Sequence, residues 1–203
     1  MFLQAALKEW TVAVDALLAG KTVLLLRKGG IREEKGRFTL KTQRVLLFPT
    51  LEHQRLELLK PDALTPTIEQ PETTVTPSRI QFRGWAEITH VVSILNGAAV
   101  ARVFPWHIWN QQFVAQRLQW KPKRPLYLLL LRSQQLAQPV SLPYRPEYRG
   151  CRSWITLDQP IDITNSAPVL TTADYANQVA QIKEALGAEG AQMQEIVSEV
   201  MKG

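Results

Sequence analysis

The residues best suited to chemistry in this 203-residue chain are basic, and they come with glycine and aromatic neighbours. In "LLLRKGGIREE" (24–34) an apolar run ends in Arg27 and Lys28, the pair Gly29 and Gly30 follows, and Arg32 closes the turn. Glycine has no side chain to keep an anion from the backbone, so amides at Gly29 and Gly30 could approach a phosphate held by Lys21, Arg27, Lys28 and Arg32. From Arg117 to Arg152 the chain also carries Lys121, Lys123, Arg124, Arg132, Arg145 and Arg149, opposed only by Glu147. That bias attracts polyanions, and Arg132, Arg149 and Arg152 join the expected anion-binding set. His53, beside Glu52 at an expected helix start, is a further contact for an anion or a backbone group. "FPWHIWNQQFVAQRLQWKPKRP" (104–125) interleaves rings with cations, which suits bases stacked on aromatic faces and neutralised phosphates. Helical spacing sends Trp109 and Phe113 to the core and leaves Trp106, His107 and Trp120 open.

Other chemistries fit less well. "AGKT" (19–22) lacks the earlier glycine of a phosphate loop, since Asp15 stands there, and a helix leads into a strand instead of the reverse. Glu33 and Lys35 with Asp15 would make a metal-dependent nuclease only if both carboxylates met at adjoining strand ends. Asp15 is expected mid-helix and Glu33 in a polar turn, so a solvated charge cluster is the better reading. His53, His90 and His107 have no metal-ligand spacing, and no cofactor or metal is expected. Cys151 has no histidine near it in sequence and reads as a buried structural thiol, although Arg149 and Arg152 beside it would favour the thiolate.

The elements that must position these residues alternate irregularly. Leu3, Leu7, Trp10, Val14, Leu17 and Leu18 recur at steps that predict a leading helix, stopped at Gly20. "TVLLLR" (22–27), "RFTL", "RVLLFPT", "RIQFRGWAEITHVVSIL" (79–95) and "PLYLLLLR" (125–132) read as strands. "LEHQRLELL" (51–59), residues 107–118, 172–186 and roughly 188–201 read as helices. "KPDALTPTIEQPETTVTPS" (60–78) is too rich in proline and threonine for either and reads as a long loop. The fold class is α+β: a small mixed β-barrel or bent sheet with a leading helix and C-terminal helices. Residues 1–157 form the domain, and 158–203 an acidic helical extension.

Charge follows that division. The net +6 is the sum of +11 over residues 1–157 and −5 over 158–203. The single Cys151 excludes an internal disulfide and favours a reducing cytoplasm. "MFLQAALKEW" has no basic region ahead of its apolar residues, so no signal peptide is expected. No window holds the ~20 apolar residues of a membrane span, and no membrane partner is expected.

Two resemblances add to this. "KEW" (8–10), "LLLRKGGI" (24–31), "LFPTLEHQ" (47–54), "PLYLLLLR" (125–132) and "YRGCRSWITL" (148–157) together resemble a domain-of-unknown-function family, the 1802 family, found largely in photosynthetic and other bacteria. That resemblance implies no activity. "ALLAGKTVLLLR" (16–27), "GWAEITHVV" (84–92) and "PLYLLLLR" resemble, in that order, the ASCH domains of the PUA-like superfamily. This second likeness implies a PUA-like barrel that binds RNA or modified bases in a cleft beside the early strand and loop. Some ASCH proteins are amidohydrolases on modified cytidine that use a lysine, a threonine and a glutamate. Lys21 and Thr22 match the first two, but no acidic residue occurs from Leu95 to Leu118, where the glutamate belongs.

The combined expectation is a cytoplasmic, non-catalytic protein that binds nucleic acid, RNA above DNA, in a basic cleft. The alternatives are a hydrolase acting on a modified nucleoside or a phosphodiester, and an adaptor whose acidic C-terminal helices dock a protein partner. The first requires the cations of the glycine turn to meet those of the 117–152 stretch.

Overall fold

A computed structural model of the chain describes residues 1–29, 31–34, 37–63, 78–94, 96–187 and 191–196. The order begins β1 (Phe2–Trp10), α1 (Thr11–Leu18), β2 (Leu24–Arg27), a separate hairpin β3 (Arg32–Glu34) and β4 (Arg37–Thr39), then β5 (Arg44–Thr50). The long β6 (Arg79–Ile94) follows, then α2 (Gly97–Arg102), α3 (Gln111–Gln119) and the longer β7 (Leu126–Pro143). β8 (Trp154–Asp162), a two-residue β9 (Ala167–Pro168), α4 (Thr172–Leu186) and β10 (Ala191–Glu195) complete it. The main sheet has eight strands in the order β2-β7-β6-β5-β1-β8, with β10 added to β6 and β9 to β7. It is mixed, since β1 runs parallel to β5 and antiparallel to β8. The sheet bends without closing into a barrel, and the class is α+β.

The bend lies in the β6–β7 ribbon, whose register shifts between Phe82 and Gly84 and again between Ile88 and His90. Bulges of this kind kink a strand and increase its twist. Gly84 is where the first kink meets α1: a Cβ there would lie 2.4 Å from both the Gln134 carbonyl oxygen and Leu18 Cδ2. Only glycine allows that approach. Val12, Ala13, Val14, Ala16 and Leu17 of α1 are then buried in the larger of two apolar clusters, with all of β2 except Arg27 and the Leu126–Leu131 run. Phe48, Phe82, Leu157 and Ile161 pack in the smaller one. The two-sided burial expected of "TVLLLR" and "PLYLLLLR" holds.

Three expected helices give way to other structure. Residues 2–10 are a strand. The four-residue step from Leu3 to Leu7 is even, so it suits a strand face as well as a helix face, and hydrogen-bonding partners in β5 and β8 decide it. Residues 51–59 form a turn, with His53 at φ 60°, and a single 3-10 turn at Leu56–Leu58. Leu59 bridges to Trp109 instead of continuing a helix. Of the expected 188–201 helix, residues 191–195 are β10, because β6 offers a free edge beyond its pairing with β5, and 188–190 and 197–201 lie outside the described residues. Residues 64–77, most of the expected loop, lie outside the described residues. Tyr175, Val179, Ile182 and Leu186 of α4 are buried in the large cluster, which makes this helix part of the body. Among the described residues no helix is long and apolar enough to cross a membrane.

Candidate functional site

β1 presents its last residues alternately to the two clusters. Leu7 lies in the large one, Lys8 turns the other way, and Glu9 returns to meet the end of β2. There the Arg27 guanidinium donates to the Glu9 carboxylate; the two side chains are only 8% and 13% exposed. α3 brings Arg117 to the same place, its guanidinium 4.8 Å from the centre of the Phe113 ring. Asn110 starts α3 by accepting from the Phe113 amide at 3.0 Å. Phe113 is wedged between Trp10, edge-on at 5.6 Å, and Trp109, stacked at 5.1 Å. Burial, and after it the nearby charge of Arg117, lowers Arg27 to about 10. Arg117 is lowered by burial alone. Arg27 therefore stays charged at neutral pH, and this corner holds two guanidiniums against one carboxylate.

The turn after β2 extends the same corner. Lys28 is buried, and its Nζ donates to the Leu118 carbonyl at 3.4 Å, near the end of α3. Burial lowers its pKa. Gly29 has φ 130°, a conformation that a side chain would strain. At the far end of α3 stands Trp120, 47% exposed. Lys121 takes a left-handed φ of 48° and lays its Nζ 4.3 Å over the Trp120 ring. The Arg124 amide closes the turn onto the Lys121 carbonyl at 2.8 Å. Lys121, Lys123 and Arg124 are exposed, and among the described residues no carboxylate forms an ion pair with them. β7 starts two residues later, with Tyr127 opposite Arg27. The glycine turn thus meets α3 at Leu118, with Arg117 close enough for its charge to act on Arg27.

The remaining expected residues sit elsewhere. Leu24 opposes Leu130, so Arg132 and the exposed Lys21 belong to the other end of β2, about 16 Å along the strand from Arg27. Arg132 donates to Thr172 Oγ1 at 2.7 Å, at the start of α4. Arg149 and Arg152 form a third location with His53. Cys151 between them is exposed, its Sγ 3.9 Å from His53 Nε2. The expected buried thiol is therefore corrected: the loop is held by backbone carbonyls, which leaves the side chain outside. Lys8 Nζ makes that hold, donating to Glu52 Oε2 at 2.6 Å, the Tyr148 carbonyl at 2.8 Å and the Gly150 carbonyl at 3.2 Å. Tyr144 donates to the other Glu52 oxygen at 2.9 Å. Burial and then this hydrogen bond push Tyr144 up to about 12. Gly30 lies outside the described residues, and of Arg32 only the backbone, in β3, is described.

Of the aromatic candidates, Trp109 and Phe113 are in the core as expected and Trp106 is half-buried. His107 is buried between Phe104 and Trp109. Its burial, then the charge of Lys60, lowers it to about 4 against a smaller opposing effect of the His107 and Trp109 backbone. Trp120 alone of the three open residues faces outward. Thr22 is buried, donating to the Trp106 carbonyl at 2.7 Å and accepting from the Leu24 amide at 3.0 Å. These bonds tie the start of β2 to Trp106.

Residues 6–181 match the family described as Domain of unknown function (DUF1802). The chain belongs to this family. The match runs from Ala6, within β1, through most of α4, and includes Glu9, Arg27, Lys28, Arg117 and residues 120–124. No curated protein matches the chain. Among solved structures it is similar to ASCH from Zymomonas mobilis, at 14% identity over 76% of this chain and 87% of that one, with a TM-score of 0.43. Two single-substitution variants of that protein are similar at 15% and 12% identity. They cover 76% and 88% of this chain and 90% and 94% of theirs, with TM-scores of 0.42 and 0.43.

Within this family member, sequence reasoning missed Glu9, Trp10 and the network of Lys8, Glu52 and Tyr144. "KEW" (8–10) carried a signal, since a lysine and a glutamate next to each other on a buried strand must face opposite sides and each needs a partner. Reading those residues as helical hid it.

Proposed function

We propose that this protein binds nucleic acid without turning it over, and that single-stranded RNA is the ligand of the corner built from the β2 turn and the end of α3. The observation that carries this reading is Trp120: a half-exposed indole flanked by Lys121, Lys123 and Arg124, none paired with a carboxylate among the described residues. Lys121 covers one face of this ring; an unpaired base would stack on the other, with the adjoining phosphates beside it. Duplex nucleic acid keeps its bases stacked, so a single strand fits this surface better. Arg27 serves differently from expectation. It is held by Glu9 and buried, so its charge adds to the field without touching phosphate. Fluorescence anisotropy with a labelled single-stranded RNA and the matching duplex tests the reading. Trp120→Ala should weaken single-strand binding by about 1–3 kcal/mol, and the duplex should bind more weakly throughout. Equal binding by Trp120→Ala and the natural protein would remove the basis of the reading.

A further inference from the structure

The loop between β7 and β8 gathers a second set of reactive side chains. Cys151 is the chain's single cysteine and is exposed. It stands at the apex of a tight turn, closed where the Arg152 amide donates to the Gly150 carbonyl at 2.8 Å. His53 stands at the tip of another turn, where the Gln54 amide donates to the Leu51 carbonyl at 3.1 Å and the Glu52 amide to Thr50 Oγ1 at 3.1 Å. Although 98 residues separate the two in sequence, Cys151 Sγ and His53 Nε2 are 3.9 Å apart.

One buried network fixes both turns. The Lys8 side chain, only 4% exposed, bonds to the Tyr148 and Gly150 carbonyls of the cysteine's loop and to Glu52, the neighbour of His53. Tyr144 holds the other Glu52 oxygen. Thiol and imidazole are therefore set against each other by the body of the protein. Arg149 and Arg152 bracket the thiol. Both are exposed, and among the described residues no carboxylate forms an ion pair with either. Two other arginines of these loops are engaged, Arg55 with Glu57 and Arg145 with Asp158. The cluster thus combines a nucleophile, a base and two open cations.

A thiolate is the species that attacks a disulfide, and positive surroundings favour it. A histidine beside a thiol serves as its base, and such contacts tighten once a reactant is bound. An exposed imidazole moves its proton between its two nitrogens through solvent, so Nε2 can accept. We propose that this cluster is a thiol–disulfide exchange site for a small anionic disulfide of the oxidised-glutathione kind. His53 Nε2 takes the thiol proton, and the Cys151 sulfur attacks one sulfur of the disulfide. A bond forms between them, the ligand's own S–S bond breaks, and the leaving thiolate takes the proton back from the imidazolium. Arg149 and Arg152 hold the ligand's carboxylates. The site uses no residue of the Trp120 corner, so it stands independently of the nucleic-acid reading.

The test uses the full chain, in which every exchange event reports Cys151 because there is no other thiol. Two aromatic disulfides serve as probes: dithiobis(nitrobenzoate), a dianion, and dithiodipyridine, which is neutral. The folded chain should react with the dianion about fivefold faster or more than the same chain unfolded in urea. His53→Asn keeps a residue that tolerates the left-handed φ of 60° at this position, and it should slow both probes about fivefold or more near neutral pH. Arg149→Gln with Arg152→Gln should slow the dianion about tenfold and the neutral probe about twofold at most, a difference that added salt reduces. Oxidised glutathione should add one glutathione per chain by intact mass, released by dithiothreitol. A folded chain no faster than the unfolded one overturns the proposal, as does an unchanged rate in His53→Asn. Equal slowing of the two probes by the arginine substitutions, or no glutathione adduct, does the same.

Discussion

The salt dependence of nucleic-acid binding follows from counting which cations can reach a phosphate. Arg27 is offset by Glu9, and both Arg27 and Lys28 are buried, so neither should release a counter-ion on binding. Arg117, Lys121, Lys123 and Arg124 remain. Four contacts on a single strand give a slope of log affinity against log salt of about −2.8. Raising salt from about 50 to about 200 mM should therefore weaken binding about 50-fold. Replacing Lys121 and Lys123 by glutamine leaves two contacts, a slope of about −1.4 and a loss of only about sevenfold over the same range. Both substitutions are at exposed positions and should leave stability unchanged. Anisotropy titrations at four or so salt concentrations with one labelled oligonucleotide provide both slopes. A slope near zero for the natural protein, or the same slope in the double variant, would refute the assignment of this corner. Lys21→Gln and Arg132→Gln, at the other end of β2, should leave the slope where it was.

Three further outcomes test the architecture. His107 titrates near 4 when folded and near its ordinary 6.5 when unfolded, so the unfolded chain binds the extra proton and stability is lost as pH falls between those values. Urea midpoints should report about 2.5 kcal/mol lost between about pH 7.5 and pH 4.5, and His107→Phe should flatten that slope; an unchanged slope would contradict the burial. Glu9→Gln strands the buried Arg27 beside Arg117 and should cost about 3–5 kcal/mol, whereas Glu9→Leu combined with Arg27→Met should recover most of it. Equal stability of all three proteins would mean the pair is not buried. Gly84→Ala forces a methyl group against the Gln134 carbonyl and Leu18 and should cost about 1–3 kcal/mol or more in thermal unfolding; a loss under about 0.5 kcal/mol would show that the sheet bends elsewhere.

Much of this protein is determined by composition and run length before any folding is considered. "TVLLLR" and "PLYLLLLR" have too many consecutive apolar residues for any face to meet water, so they had to become doubly buried strands. Trp109 and Phe113, four apart beside polar neighbours, had to turn inward. Trp120, seven residues after Phe113, was left open by the sequence, and it stayed outside because the helix ends at Gln119 and the chain turns extended there. Tertiary structure alone decided the rest, because strand pairing and charge pairing join residues far apart in sequence. Residues 2–10 fit helix and strand equally by spacing, and the edges of β5 and β8 made them a strand. Arg27 reads as a free cation until β1 carries Glu9 alongside it, and Cys151 reads as solitary until the turn at His53 folds against its loop. Charge along a chain is local information, whereas the partner that neutralises it is supplied by whichever strand lies next door.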